Sequence, residues 1–347
     1  MSFPKTIVYP LVTLSVLAAT FLPALGTGKT AKAKETFSGN TTIEKAVSEK
    51  RWAVCGLSDN FMREEPEYEA ELGNQMLMGT LGKVLGFQGS WIHVESPDPY
   101  RAWVGPRGLV LMTDSEKDAY LRADKYIFTG WYGRISEAPS ANSAAVGDLV
   151  AGDIILKGSG RARKGFLPVV TPDGRSGYVP RAELSDFSEW CKKEPSADKI
   201  VSTAMRMMGV PYLWGGNTVK GVDCSGMTRL AYFLNGVLLP RNASQQALVG
   251  LDIPVGKIND EADFSALKPG DLLFFAGGAN PQKVTHVGMY IGGGRFIHSS
   301  GMVRISSLDP EAGDYYGSKS LVKARRMLGE EAEGVVMVRD SEYYNNN

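Results

Sequence analysis

Residues 211–226, which read PYLWGGNTVKGVDCSG, constrain the fold more than any other stretch. Gly215, Gly216, Gly221 and Gly226 argue against a continuous helix or strand and call for a tight elbow. Directly after it, Met227, Leu230, Ala231 and Leu234 recur at i, i+3, i+4 and i+7, one stripe of a helix. Asp223 is placed to cap that helix, and Cys224 falls in its first turn. Unpaired N–H groups and the positive end of the helix dipole favour thiolate there, which predicts a lowered cysteine pKa. Cys224 is therefore a candidate nucleophile. Taken alone, the pattern fits a small buried core residue as well.

A chain of 347 residues is long for one core, so two or three domains are expected. Lys+Arg and Asp+Glu both number 38, and the basic excess of a nucleic-acid binder is missing. The chain has three cysteines, Cys55, Cys191 and Cys224, so at least one is unpaired; on one reading Cys55 and Cys191 pair in an oxidising compartment. There is no CxxC and no closely spaced Cys/His pair to suggest a structural zinc site. Neither a metal nor a cofactor is expected.

Residues 1–26 read as an export signal. Lys5 precedes an apolar run over residues 7–25, interrupted by Pro10 and Pro23, and Ala24-Leu25-Gly26 suits cleavage after Gly26. The run nearly reaches spanning length, so a membrane anchor is the alternative. The prolines favour a cleaved signal, hence a periplasmic or secreted protein with no stable membrane span. No cysteine follows the run, which excludes a lipoprotein anchor at this site. Residues 27–49 read as a linker. Residues 50–116 and 117–187 each read as a small all-β barrel of about five short strands punctuated by glycine and proline. Strand-like pieces include 52–55, 75–78, 91–94 and 102–104 in the first block, and 126–128, 154–156, 167–170 and 177–179 in the second. From residue 188 onward the pattern turns to mixed helix and strand, with a helix starting at Asp198 and ending at Gly209.

Two of the three histidines, His286 and His298, flank Gly292-Gly293-Gly294 in a strand–turn–strand hairpin. If the three glycines form the loop, Ile291 pairs with Arg295, His286 faces Ser300 and His298 faces Gly288. Both rings then project from one sheet face as diagonal neighbours. A two-residue loop would send them to opposite faces. Two imidazoles and a thiol at a helix N-terminus suit nucleophilic catalysis. One ring takes the thiol proton and later protonates a leaving amine, and the second orients the first. Two unrelated strand histidines, or a Cys/His/His zinc site, are the alternatives that the residues alone leave open.

Residues 198–342 resemble the NlpC-type cell-wall cysteine peptidases, a papain-like α+β family of bacteria. The matching pieces are Tyr212-Leu213-Trp214-Gly215-Gly216, Asp223-Cys224-Ser225-Gly226, Pro240-Arg241 with Ser244 and Gln246, Leu267-Lys268-Pro269-Gly270-Asp271-Leu272, His286-Val287-Gly288 and Ile297-His298. The resemblance implies that Cys224 is the nucleophile, His286 the general base and His298 its orienting partner, with the Tyr212 hydroxyl beside the oxyanion site. It also implies the domain plan: two barrels similar to bacterial SH3-type domains over 50–116 and 117–187, then a catalytic domain over 188–347. That order resembles the subgroup called dipeptidyl-peptidase VI, the γ-D-glutamyl-L-diamino acid endopeptidases, which cut peptidoglycan stem peptides bearing a free N-terminal L-alanine. In that subgroup the first SH3-type domain covers part of the cleft and holds the substrate amine. The matching substrate contacts are Glu71, Tyr100, Asp223, Ser225 and Ser244, and carboxylates at Glu71 and Asp223 would pair with an ammonium and reject an acylated stem. A monomer releasing L-Ala-D-Glu is the expectation. A general amidase or endopeptidase on intact wall, an acyltransferase, and an inactive wall-binding protein are the alternatives.

Overall fold

The computed structural model describes residues 49–258, 261–277, 280 and 283–345. The expected signal peptide and residues 27–48 of the linker lie outside the described residues.

The first sheet has seven strands rather than five: β1 (Trp52–Cys55), β2 (Asp59–Arg63), β3 (Leu72–Leu77), β4 (Leu81–Gln88), β5 (Trp91–Glu95), β6 (Arg101–Val104) and β7 (Leu109–Met112). Alternation sets its inner face. Ile92 and Val94 of β5 and Ala102 and Val104 of β6 point inward onto Met62 and Met76, while their neighbours point out. Helix α1 (Asp114–Arg122) follows. The sequence reading had no helix here, although its signal is present: Thr113 and Glu116 form a complete capping box. The second sheet comprises β8 (Lys125–Phe128), β9 (Tyr132–Ser136), β10 (Ala145–Val150), β11 (Ile154–Lys157), β12 (Phe166–Val170), β13 (Ser176–Pro180) and β14 (Leu184–Asp186). The strand orders are β3-β2-β6-β5-β4-β1-β7 and β10-β9-β13-β12-β11-β8-β14. The second is the first displaced by seven, so one topology occurs twice.

The α+β part contains α2 (Phe187–Cys191), α3 (Ala197–Met205), β15 (Asn217–Thr218), β16 (Gly221–Val222), α4 (Cys224–Phe233), β17 (Val237–Leu238), α5 (Ala243–Gln246), β18 (Leu251–Ile253), β19 (Gly256–Ile258) and β20 (Glu261–Asp263). It continues through β21 (Leu272–Ala276), β22 (Val284–Gly292), β23 (Arg295–Ser300), β24 (Met302–Ser307), β25 (Ser320–Arg326) and β26 (Val336–Met337). Six strands form an antiparallel sheet in the order β18-β25-β21-β22-β23-β24. Helix α4 lays Met227, Leu230 and Ala231 on Leu272, Phe274, Val287 and Ile297 of that sheet, the stripe its periodicity predicts. Among the described residues no helix is long and apolar enough to cross a membrane.

One apolar cluster joins the three parts. It takes Val54 and Leu77 from the first sheet, Ile127 and Ile154 from the second, and Trp190, Phe233 and Tyr344 from the α+β part. Polar contacts add direction. Asn217 donates from Nδ2 to Asn74 Oδ1 at 2.6 Å and to Gln75 O at 3.1 Å, and from its backbone N to Gln75 Oε1 at 2.8 Å. The pairing of Cys55 with Cys191 is not made. Both are buried free thiols: Cys55 lies in the first-sheet core, where its Sγ donates to Met76 O, and Cys191 lies in the shared cluster.

Candidate active site

The elbow works as its glycines require. Gly226, in the first turn of α4, packs so closely on the elbow that a Cβ there would stand 2.0 Å from Gly216 O. Asp223 is the N-cap, accepting from Gly226 N at 2.7 Å and from Ser225 Oγ at 3.1 Å. Cys224 is the first helical residue and is 9% exposed. Burial pushes its thiol up to about 11, and the Asp223 carboxylate adds to the rise. The N–H groups of Val287 and Ser225 hydrogen-bond the sulfur and pull the other way, as does Arg241. The lowered pKa expected from the helix dipole is thus corrected: desolvation outweighs the dipole in this site.

The hairpin keeps both histidines on one face by a route the sequence reading did not foresee. Met289 pairs with Ile297 and Tyr290 with Phe296, the expected register, but Gly292 rather than Ile291 pairs with Arg295. The tip is the two-residue loop Gly293-Gly294, both at positive φ of 61° and 69°, which glycine adopts without strain. A bulge at Ile291 absorbs the extra residue and restores the phase. His286 Nε2 lies 2.7 Å from His298 Nδ1, and His298 Nε2 lies 3.0 Å from Ser306 Oγ. The Ser306 hydroxyl can donate or accept, so both directions satisfy these contacts; a general base at His286 requires the one in which each Nε2–H donates down the line. His286 Nδ1 is then the nitrogen left to accept a proton from Cys224. Burial holds both imidazoles below their ordinary range. For His286, His298 and Lys319 add to the effect; for His298, it is Arg304, its neighbour across β23 and β24. The resting site is therefore a neutral thiol beside neutral imidazoles. Tyr316 and His298 meet in a T-shaped contact, with ring centroids 4.7 Å apart.

Cys224 and His286 line a cleft of about 600 Å³ shared with Tyr212, Asp223, Ser225 and Ser244 and, from the first sheet, Glu64, Glu71 and Tyr100. His298 stands behind His286 rather than in the cleft wall. The Tyr212 hydroxyl is held above its ordinary pKa by burial and by Cys224, so it is an O–H donor. The candidate catalytic and substrate-contact residues from the sequence all line this cleft or, for His298, its back wall, and several have partners that the sequence did not suggest. Asp223 is not an open carboxylate. It lies against Arg241, which is 1% exposed and donates to both its oxygens, and it accepts from Gly215 N at 3.0 Å. Its charge is matched by a buried guanidinium, while it still forms part of the cleft lining. Ser225 is likewise held, accepting from Arg241 at 3.0 Å. Ser244 is exposed on α5. Glu71 is exposed and accepts from the Trp214 indole at 2.5 Å. Tyr100 donates its hydroxyl to Glu64. Glu64 is not singled out by the sequence, where its run Arg63-Glu64-Glu65-Pro66-Glu67 carries no motif that sets it apart from other charged stretches. The open carboxylates of the cleft are Glu64 and Glu71, both delivered by the first sheet.

The family profile that matches is that of the NlpC/P60 family, over residues 209–326. The γ-D-glutamyl-L-lysine dipeptidyl-peptidase of Bacillus subtilis (strain 168) is 37% identical over 265 residues, covering 74% of this chain and 78% of its own length. Dipeptidyl-peptidase 6 of Lysinibacillus sphaericus is 27% identical over 259 residues, covering 71% of this chain and 88% of its own. The crystal structure of an NlpC/P60 family protein from Bacillus cereus ATCC 10987 superposes with a TM-score of 0.64 at 22% identity, over 80% of this chain and 100% of that one, a likeness of fold. With a relative this similar aligned over most of both chains, and the profile falling on the part that holds Cys224, His286 and His298, the chain belongs to the NlpC/P60 family.

Proposed function

We propose that this protein is an exported cysteine endopeptidase hydrolysing the γ-D-glutamyl–diamino acid bond of peptidoglycan stem peptides that carry a free N-terminal L-alanine, releasing L-Ala-D-Glu. The observation that carries the reading is one cleft holding Cys224 and His286 together with Glu64, Glu71 and Tyr100 from a different domain. The names of the relatives from B. subtilis and L. sphaericus support the same class of bond.

In this mechanism Cys224 Sγ attacks the γ-carbonyl carbon as His286 Nδ1 takes the thiol proton. A high thiol pKa and a neutral ring make proton transfer part of the attack rather than a step before it. His298, neutral and accepting at Nδ1, steadies the imidazolium that forms. The Tyr212 O–H and the N–H groups at the start of α4 face the developing oxyanion. His286 then protonates the leaving amine, and water hydrolyses the acyl-enzyme by the reverse relay. Glu64 and Glu71 pair with the alanyl ammonium, with the Tyr100 hydroxyl between carboxylate and substrate. An N-acylated stem has no charge to offer them and leaves acids facing an amide. The export reading of residues 1–26 belongs to this proposal and rests on the apolar run with its small-residue cleavage site.

The test is mass spectrometry of products from L-Ala-γ-D-Glu-diaminopimelate and its N-acetylated form. Release of L-Ala-D-Glu from the free-amine peptide alone, abolished in Cys224→Ala, is the expected result. Equal cleavage of both peptides would replace this reading with a general wall hydrolase, and full activity in Cys224→Ala would remove the nucleophile.

A further inference from the structure

The cleft is electrically lopsided. Its open acids, Glu64 and Glu71, enter from the first sheet. On the His286 side the charged lining residue is Lys319, just before β25, whose Nζ donates to Thr285 Oγ1 at 2.8 Å, one residue from His286. An adjoining cavity shares Ser244 and Val284 with the cleft and is lined further by Lys283 and Lys323, with no acid among its described lining residues. Lys319 is close enough for its charge to bear on the His286 ring.

Chemistry fixes which part of a peptide meets this end. The general acid must reach the leaving nitrogen, so the residue released as amine lies on the His286 side of Cys224. That residue is a diamino acid on the function proposed above, and this inference rests on that reading. Two kinds of diamino acid differ in charge at the far end of the side chain. Lysine ends in an ammonium alone. Diaminopimelate ends in an ammonium together with a carboxylate. A lysine-lined pocket repels the first and gives the second a charge-assisted hydrogen bond.

We propose that Lys319 forms an anion subsite for the leaving residue and selects a diamino acid with a distal carboxylate, diaminopimelate over lysine. The selection is a substrate preference of this chain's own cleft and does not follow from the lysine-specific names of some relatives.

The experiment compares kcat/KM of the full chain for L-Ala-γ-D-Glu-diaminopimelate and L-Ala-γ-D-Glu-L-Lys. Using the ratio removes any effect of Lys319 on the His286 ring, because that effect is common to both peptides. The expected ratio is about tenfold or more in favour of diaminopimelate, the scale of one hydrogen bond between charged partners. Lys319→Gln brings the ratio close to one, and Lys319→Glu inverts it towards lysine. A ratio at or below one in the unaltered protein overturns the proposal, as does a ratio that both variants leave unchanged. Failure to cleave either peptide, with the fold intact by circular dichroism, overturns the underlying function and this subsite with it.

Discussion

At the scale of single residues, the reactivity of Cys224 is set by competition between burial and the helix start. The helix start supplies the Ser225 N–H and strand β22 the Val287 N–H to the sulfur, yet the thiol is pushed up to about 11 because it is nearly enclosed and Asp223 stands next to it. At pH 7 that leaves on the order of one thiolate in ten thousand in the free protein. The expected behaviour towards iodoacetamide follows. Alkylation of Cys224 is slow at neutral pH and climbs without a plateau to beyond pH 9. Cys224 is still modified before Cys191, which burial raises to about 12, and before Cys55, which burial raises further. Peptide mapping after timed alkylation across pH 6–10 checks both points. A rate that levels off below pH 8 would show a preformed thiolate and return the advantage to the helix dipole.

At the scale of elements, the elbow and α4 depend on a buried charge pair, Asp223 with Arg241, in the lining of the cleft. Asp223 caps α4, holds Gly215 N and accepts at each oxygen from Arg241, its one charge partner, which is 1% exposed. Removing only the guanidinium strands a buried carboxylate. Arg241→Ala should therefore cost about 3–5 kcal/mol in urea unfolding. The neutral pair Asp223→Asn with Arg241→Met should recover much of that loss, since Asn still caps the helix and no charge is left alone. A loss below about 1 kcal/mol for Arg241→Ala would mean that water reaches Asp223. Much at this scale was legible in advance. The i, i+3, i+4, i+7 stripe located α4, Asp223 read as its cap, and the pairing of Met289 with Ile297 followed from the hairpin register. Two things were not. The bulge at Ile291 is a property of the strand pair, invisible to a count of glycines. The partnership of Asp223 with Arg241 joins residues eighteen apart in sequence through a fold that local spacing does not encode.

For the whole molecule, the acids proposed to distinguish a free amine from an amide flank strands of the first sheet, and the nucleophile lies in the α+β part. Amine selectivity is therefore a docking property. Asn217, in β15 within the elbow that leads to Cys224, ties that elbow to Asn74 and Gln75 of β3, the strand that follows directly on Glu71. Sequence reasoning could place Glu71 and Tyr100 in a first barrel, but it had no distance between that barrel and Cys224; the joint lies in side-chain amides that look like ordinary surface polar residues. Asn217→Ala removes both Nδ2 donations and leaves Asn74 Oδ1 and Gln75 O short of a buried partner, which should cost about 1–3 kcal/mol of stability. The apolar cluster through Val54, Ile127 and Phe233 keeps the three parts together, so the variant should fold. What it should lose is alignment of Glu64 and Glu71 with the cleft. The expected result is a fall of about tenfold in kcat/KM for the free-amine peptide, with the alkylation rate of Cys224 unchanged, because the thiol, its cap and the histidine pair lie outside the joint. The same loss in alkylation rate would mean instead that Asn217 supports the elbow itself. Full retention of amine selectivity alongside reduced stability would place the gate in the first sheet alone, independent of how that sheet is docked.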